Sequence, residues 1–348
     1  FSSLFNNNIQ LAFFIITSIF CLVYYFLNYS LIKKVKFNFI YYFIIFSPLF
    51  YIFFVVISKV GVRKEIILFI FYLLYLNHLS SNNFKLKQNW KFIFIFPILL
   101  FIHEGIFFYI PYIILPLFFI INKNDLKTLI FQTIGLVFFS SIIIILLYFN
   151  KGSSDHTLHI CQSLGNYAPL KCDWWGPIAA LGIEPLRNIE NKPLLFFYLS
   201  ADYKTWLGFL FYIFYGFIPI FLFLFLAKIK CEELLIKRKL FFLIYFLVIG
   251  FSLPLFHVAE DWSRWFSIHF HLLAFLIFFL QNRNLVTFKN NFDNNKINNF
   301  LVNKKIKKIF IVLLLFYGTC FHHHHFFFKD VKLELTYYKI FKNIKNNF

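Results

Sequence analysis

Long apolar blocks separated by short basic segments constrain this chain more than any other feature. A helix crossing the hydrocarbon core of a bilayer needs about 20 mostly apolar residues. Blocks of that kind recur at 9–32, 38–58, 129–149, 206–227, 240–256, 266–280 and 309–328, with a shorter one at 66–79. Of the 348 residues, 60% are hydrophobic and 14% charged. Soluble domains average about 45–50% apolar and about 25% charged. The expectation is an all-α, polytopic integral membrane protein of about 9–10 transmembrane or re-entrant helices. Residues 1–328 form one membrane domain in this reading, followed by a Lys- and Asn-rich tail at 329–348. The 58 Phe and absent Met suit AT-rich coding, and imply that Phe1 is not the translation start.

The net charge of +19 would suggest nucleic acid in a soluble protein. Here Lys and Arg gather between apolar blocks, as in cytoplasmic loops that face anionic lipid headgroups. Membrane lipid, and no nucleic acid, is therefore the expected contact. The strongest votes for a cytoplasmic side are 228–239, with five basic residues, and 282–308, with seven. The second of these reads as a flexible basic loop. Parity then puts 150–204 outside as one large loop, together with 257–265, and puts 33–36 and 80–91 inside. The connector 59–65 falls outside despite three basic residues, against the rule.

Against this background the run 92–121 stands apart. It is uncharged except for the adjacent His103 and Glu104, and it contains Pro97, Gly105, Pro111 and Pro116. Proline breaks or kinks helices, so the run reads as two short helices meeting near His103-Glu104-Gly105 in a hairpin. Broken helices survive in a bilayer only where they are buried in protein or line a cavity. Titratable groups at such depth are functional candidates, the plain alternative being a hydrogen-bonded pair that only joins two helices.

A second cluster, His257-Val258-Ala259-Glu260-Asp261-Trp262-Ser263-Arg264-Trp265, lies at a membrane boundary. On a helical turn Asp261 and Arg264 share a face and can pair. Trp262 and Trp265 suit an interfacial aromatic belt or a sugar ring. Arginine is scarce, five against 29 lysines, and its planar fork grips phosphate in two places as lysine cannot. Arg63, in a charged connector, reads by itself as solvated. In the large loop, Asp173 and Trp174 precede Trp175-Gly176-Pro177, which suits carbohydrate contact and an ordinary folded loop equally. Cys161 and Cys172 could form a disulfide if that loop is extracytoplasmic. His322–His325 lacks further ligands nearby, so no metal is expected. Walker A, dinucleotide, zinc-protease and GxSxG motifs are absent, and no cofactor is expected.

The order of these features resembles the EpsG/Wzy-like family of polysaccharide polymerases of exopolysaccharide, capsule and O-antigen assembly. Gly61-Val62-Arg63-Lys64-Glu65 leads into a helix, a basic segment and Ile102-His103-Glu104 follow, and a late Asp-x-x-Arg closes the pattern. The similarity runs from Gly61 to Leu280. The family's Gly- and Asp-containing, Tyr-rich motif near the first helices is missing. The resemblance implies a multi-pass protein of a bacterial inner membrane that joins polyprenyl-diphosphate-linked glycan repeats, with other polysaccharide-assembly proteins as partners. It implies Arg264 and Arg63 on the diphosphate, His103 or Glu104 as base, and Asp261 orienting Arg264 or an acceptor hydroxyl. A lipid-sugar-dependent glycosyltransferase of the C superfold, and a transporter or flippase of lipid-linked sugars, are the alternatives.

Overall fold

The computed structural model describes residues 9–33, 35, 39–50, 64–81, 84–121, 125–150, 154–163, 203–229, 248–258, 262–288 and 304–319. The architecture is that of an all-α polytopic membrane protein. Four helices are long and apolar enough to cross a bilayer: α1 (Ile9–Ile32), α6 (Leu126–Phe149), α8 (Tyr203–Leu226) and α10 (Trp262–Asn282). Shorter helices complete the bundle. These are α2 (Phe39–Ile45), α3 (Glu65–Leu79), α4 (Trp90–Leu99), α5 (Ile110–Phe118), α7 (Ser154–Ser163), α9 (Leu253–Val258) and α11 (Lys304–Thr319).

Helix α10 is the axis. Of its apolar span 83% is buried, against 22% for α1 and for α6. The outer helices expose Leu22, Phe26, Phe131 and Phe149, as faces that meet lipid tails do. Since lipid is as apolar as leucine, packing and interhelical hydrogen bonds must hold such a bundle. Asn77 donates to the Leu27 carbonyl at 3.4 Å and accepts from the Ser30 hydroxyl at 3.3 Å, tying α3 to α1. Gln132 joins α6 to the turn before α4, accepting from Asn89 at 3.0 Å and donating to the Leu86 carbonyl at 2.8 Å.

Directions follow from paired contacts. Arg264 meets Glu65 at one end of α10 and α3, and Arg283 donates to the Ser81 carbonyl at the other, so the two helices run the same way. Helix α1 runs with them, Tyr24 lying against Phe69 and, further along, Leu27 and Ser30 against Asn77. So does α8, through Phe209–Phe266 and Phe217–Phe270. Helix α4 opposes α3, with Phe92 on Tyr75 and Phe96 on Phe71. The N-termini of α3, α8 and α10 therefore collect at one end of the bundle. Lys33, Lys85, Lys87, Lys91, Lys228 and Arg283 collect at the opposite end.

Several expected boundaries move. The block 38–58 does not form one helix: α2 ends at Ile45, and a second helical segment starts at Pro48. Ser47 fills the break and donates to the Gly216 carbonyl at 2.8 Å. The block 240–256 breaks at Ser252, before Pro254. The loop 282–308 is structured at both ends, since Val286–Phe288 pairs antiparallel with Ala227–Ile229 and α11 begins at Lys304. Its entry is a Schellman turn, in which Asn284 adopts φ 54° and Leu285 N–H donates to the Leu280 carbonyl at 2.9 Å. Asparagine tolerates that left-handed conformation.

Gly216 lets α8 approach the segment at 48–50, where an added Cβ would lie 2.5 Å from Leu49 Cγ and Cδ1. Leu49 is fully buried and has nowhere to retreat. Gly216→Ala should therefore destabilise by about 1–3 kcal/mol. Gly250→Ala, with nothing within 4 Å of the new carbon, should be neutral within about 0.5 kcal/mol. Thermal unfolding of the two variants in detergent checks the contrast, and equal melting temperatures would contradict it.

Candidate functional site

The two halves of the predicted site meet at the end of the bundle where the helix N-termini gather. The break in 92–121 is real: α4 ends at Leu99, a 3-10 turn covers Glu104–Tyr109, and α5 follows. His103 stands between them in extended conformation, φ −160° and ψ 113°. Gly105 keeps the corner tight, since an added Cβ there would lie 3.1 Å from His103 Cε1 and 3.5 Å from Leu255. The helix break therefore delivers the imidazole to the cluster.

Arg264 is in the first turn of α10. A cation there opposes the helix dipole by roughly 0.3–1 kcal/mol, so its place needs another cause. That cause is Glu65, the first residue of α3, which forms a buried ion pair with Arg264 Nη2. The two side chains are 3% and 13% exposed. The same guanidinium nitrogen lies 3.0 Å from His103 Nε2, and its ring-facing carbon sits 4.7 Å over the Trp265 ring in cation–π contact. His103 Nε2 is also 3.6 Å from Glu65 Oε1. Three segments distant in sequence thus share one charge cluster.

The two ring nitrogens of His103 face different partners. Nδ1 accepts from Gly105 N–H at 3.3 Å and lies 3.5 Å from Glu104 Oε2. Nε2 lies between the Arg264 guanidinium and the Glu65 carboxylate. Glu104 is an outward-facing group.

Deeper between α5 and α10, His269 Nδ1 lies 2.7 Å from the Tyr112 hydroxyl and its Nε2 lies 2.6 Å from Ser252 Oγ. Tyr109 packs on the same imidazole, ring centroids 5.2 Å apart. The hydroxyl of Tyr109 lies in the field of both Arg264 and Glu65.

The structure thus brings together His103, Glu104, Arg264 and Trp265. It corrects the expectation of a buried His103–Glu104 pair: the Glu104 side chain is 73% exposed, because the 3-10 turn points it away from the bundle, and Glu65 is the buried acid. The expected partner of Arg264, Asp261, lies outside the described residues, as do Arg63, Asp173, Trp174, Cys172 and His322–His325. Trp262 opens α10 and Cys161 lies in α7, but their side chains are outside the description. Among the described residues no group of His, Cys, Asp and Glu could hold a metal. The sequence reading missed Glu65, Tyr109 and His269. For Glu65 a signal existed, since it is the sole Asp or Glu before Glu104.

No protein-family model matches the chain, and neither a curated protein nor a solved structure matches it.

Removing one partner of a buried ion pair strands the other charge and costs about 3–5 kcal/mol. Glu65→Gln should lower stability by that order. Glu65→Gln combined with Arg264→Gln should cost clearly less than the sum of the single changes, as coupled neighbours do. A double-mutant cycle of detergent unfolding checks this, and additive losses would rule out the pairing.

Proposed function

We propose that the chain is a membrane glycan polymerase that joins polyprenyl-diphosphate-linked oligosaccharide repeats in surface polysaccharide synthesis. The single observation that carries this reading is the Glu65–Arg264–His103 cluster, buried at the end of the bundle away from the lysine-rich segments. By the positive-inside rule those segments face the cytoplasm and the cluster opens outside, where lipid-linked repeats would be joined. The proposed setting is a bacterial inner membrane.

In the proposed reaction the anomeric carbon of one lipid-linked glycan bonds to a hydroxyl oxygen of another. Its bond to the diphosphate oxygen breaks, the hydroxyl proton passes to a base, and the lipid diphosphate leaves with the electron pair. Departure of that anion calls for a preorganised cation in a low-dielectric site. Arg264 meets the requirement, with its side chain fixed by Glu65, His103 and Trp265, and Lys64 adds positive charge at the rim. Arg63 would join them from the adjoining connector. The exposed carboxylate Glu104, 3.5 Å from His103 Nδ1, is the base that faces an incoming hydroxyl. Asp261, Trp262, Asp173 and Trp174 are assigned to orienting and contacting sugar.

Lipid-linked glycans from cells carrying the gene, its deletion and its variants test the reading on one gel. Deletion and His103→Ala should each collapse the ladder to a single repeat unit. Arg264→Lys keeps the charge but loses the planar fork, and should reduce long chains about 10²-fold. Protein levels in the membrane control for folding. Loss of one sugar from every repeat would instead indicate a single-transfer glycosyltransferase. An intact ladder with glycan trapped inside would indicate transport.

A further inference from the structure

Most buried polar side-chain atoms in native proteins have a hydrogen-bond partner, and leaving one without costs as much as a lost hydrogen bond. Around the Arg264–His103 contact, three buried side chains each hold a polar atom with no such partner. They are Glu65 Oε2, the Tyr109 hydroxyl and Trp265 Nε1. The three residues are at most 3% exposed. They flank the same pair: Glu65 by its ion pair with Arg264, Trp265 by the guanidinium above its ring and the His103 ring 6.0 Å away, Tyr109 at the base of the hairpin turn. Glu65 Oε1 meets Arg264 Nη2, while Glu65 Oε2, the Tyr109 hydroxyl and Trp265 Nε1 have no counterpart among the described residues.

We propose that Glu65, Tyr109 and Trp265 form a binding site for the vicinal hydroxyls of a sugar ring, reached when the hairpin turn at 100–109 parts from α9 and α10. The donor and acceptor set selects this chemistry. Glu65 Oε2 only accepts, the Trp265 indole only donates, and the Tyr109 hydroxyl does both. A pair of adjacent hydroxyls, each able to donate and accept, complements all three. A phosphate, which only accepts, would be repelled by the carboxylate, so this subsite is distinct from the diphosphate position at Arg264 and Lys64. Gly105 packed on Leu255, with no larger side chain between, is where the turn and α9 would separate. That the ligand is a sugar, rather than any polyol or an ordered water, rests on the glycan reading above. The set of unpartnered atoms does not.

Thermal unfolding of the detergent-purified full chain tests it, with glucose, galactose or N-acetylglucosamine at millimolar concentration and mannitol as the linear-polyol control. At least one monosaccharide should raise the unfolding temperature beyond mannitol by about 2–4 °C. Tyr109→Phe and Trp265→Phe should each abolish that rise. Without sugar, Tyr109→Phe should unfold at the same temperature as the parent or higher, because the hydroxyl it removes has no partner in the resting protein. Two outcomes would overturn the proposal. One is the absence of any sugar-specific rise. The other is a melting temperature several degrees lower for Tyr109→Phe alone, which would mean that resident water already satisfies the hydroxyl. A sugar-specific rise with an unchanged glycan ladder would keep the site and discard the polymerase. A collapsed ladder without the rise would do the reverse.

Discussion

The fold depends on one electrostatic constraint: Arg264 cannot enter the bundle without Glu65. An isolated charge in a low-dielectric interior carries a desolvation penalty of several kcal/mol, which only a close, well-oriented partner offsets. Pairing residues near the first turns of two helices fixes α3 and α10 side by side, in one direction and in one axial register. Parallel neighbours bring like dipole ends together, and the carboxylate of Glu65 lies where both positive ends converge, a favourable place for an anion. The pair therefore compensates the dipole clash that its own geometry creates. At the far ends of the same helices, Arg283 reaches the Ser81 carbonyl, so the register is held twice.

The hairpin follows from the same requirement. Trp90–Leu99 rises only about 15 Å at 1.5 Å per residue, half of a ~30 Å hydrocarbon core. A straight helix through 92–121 would carry His103 past the level of Arg264 and leave the guanidinium with one partner. Breaking after Leu99 turns the chain at that level. The 3-10 turn that reverses it sends Glu104 outward and Tyr109 inward, so a local backbone choice sorts an acid to the surface and a hydroxyl to the interior.

The helical class, the principal spans and the site's two central residues, His103 and Arg264, were legible in the sequence, because apolar block length and isolated charge are local signals. Breaks at Ser47 and Ser252 were not. Each lies in an apolar run with one proline nearby, and what stabilises it is a distant or buried partner: Gly216 for Ser47, His269 for Ser252. Glu65 was hidden for a related reason. Beside Arg63 and Lys64 it reads as one charge of a solvated connector, and its burial is decided by Arg264, far along the chain. Glu104, inside an apolar run, reads as the buried acid, yet the turn that exposes it is set by backbone geometry that apolar periodicity does not encode.

His269, buried in α10 like His271, invites reading as a proton conduit toward the cluster. Counting protons argues otherwise. The Ser252 hydroxyl has one hydrogen, and the Ile249 carbonyl 2.8 Å away can only accept it. Ser252 therefore accepts from His269 Nε2–H, and Nδ1 accepts from the Tyr112 hydroxyl. The chain has one direction and ends on a backbone carbonyl that cannot pass a proton on. It is a tie between α5, α10 and the turn before α9, holding the floor beneath Tyr109.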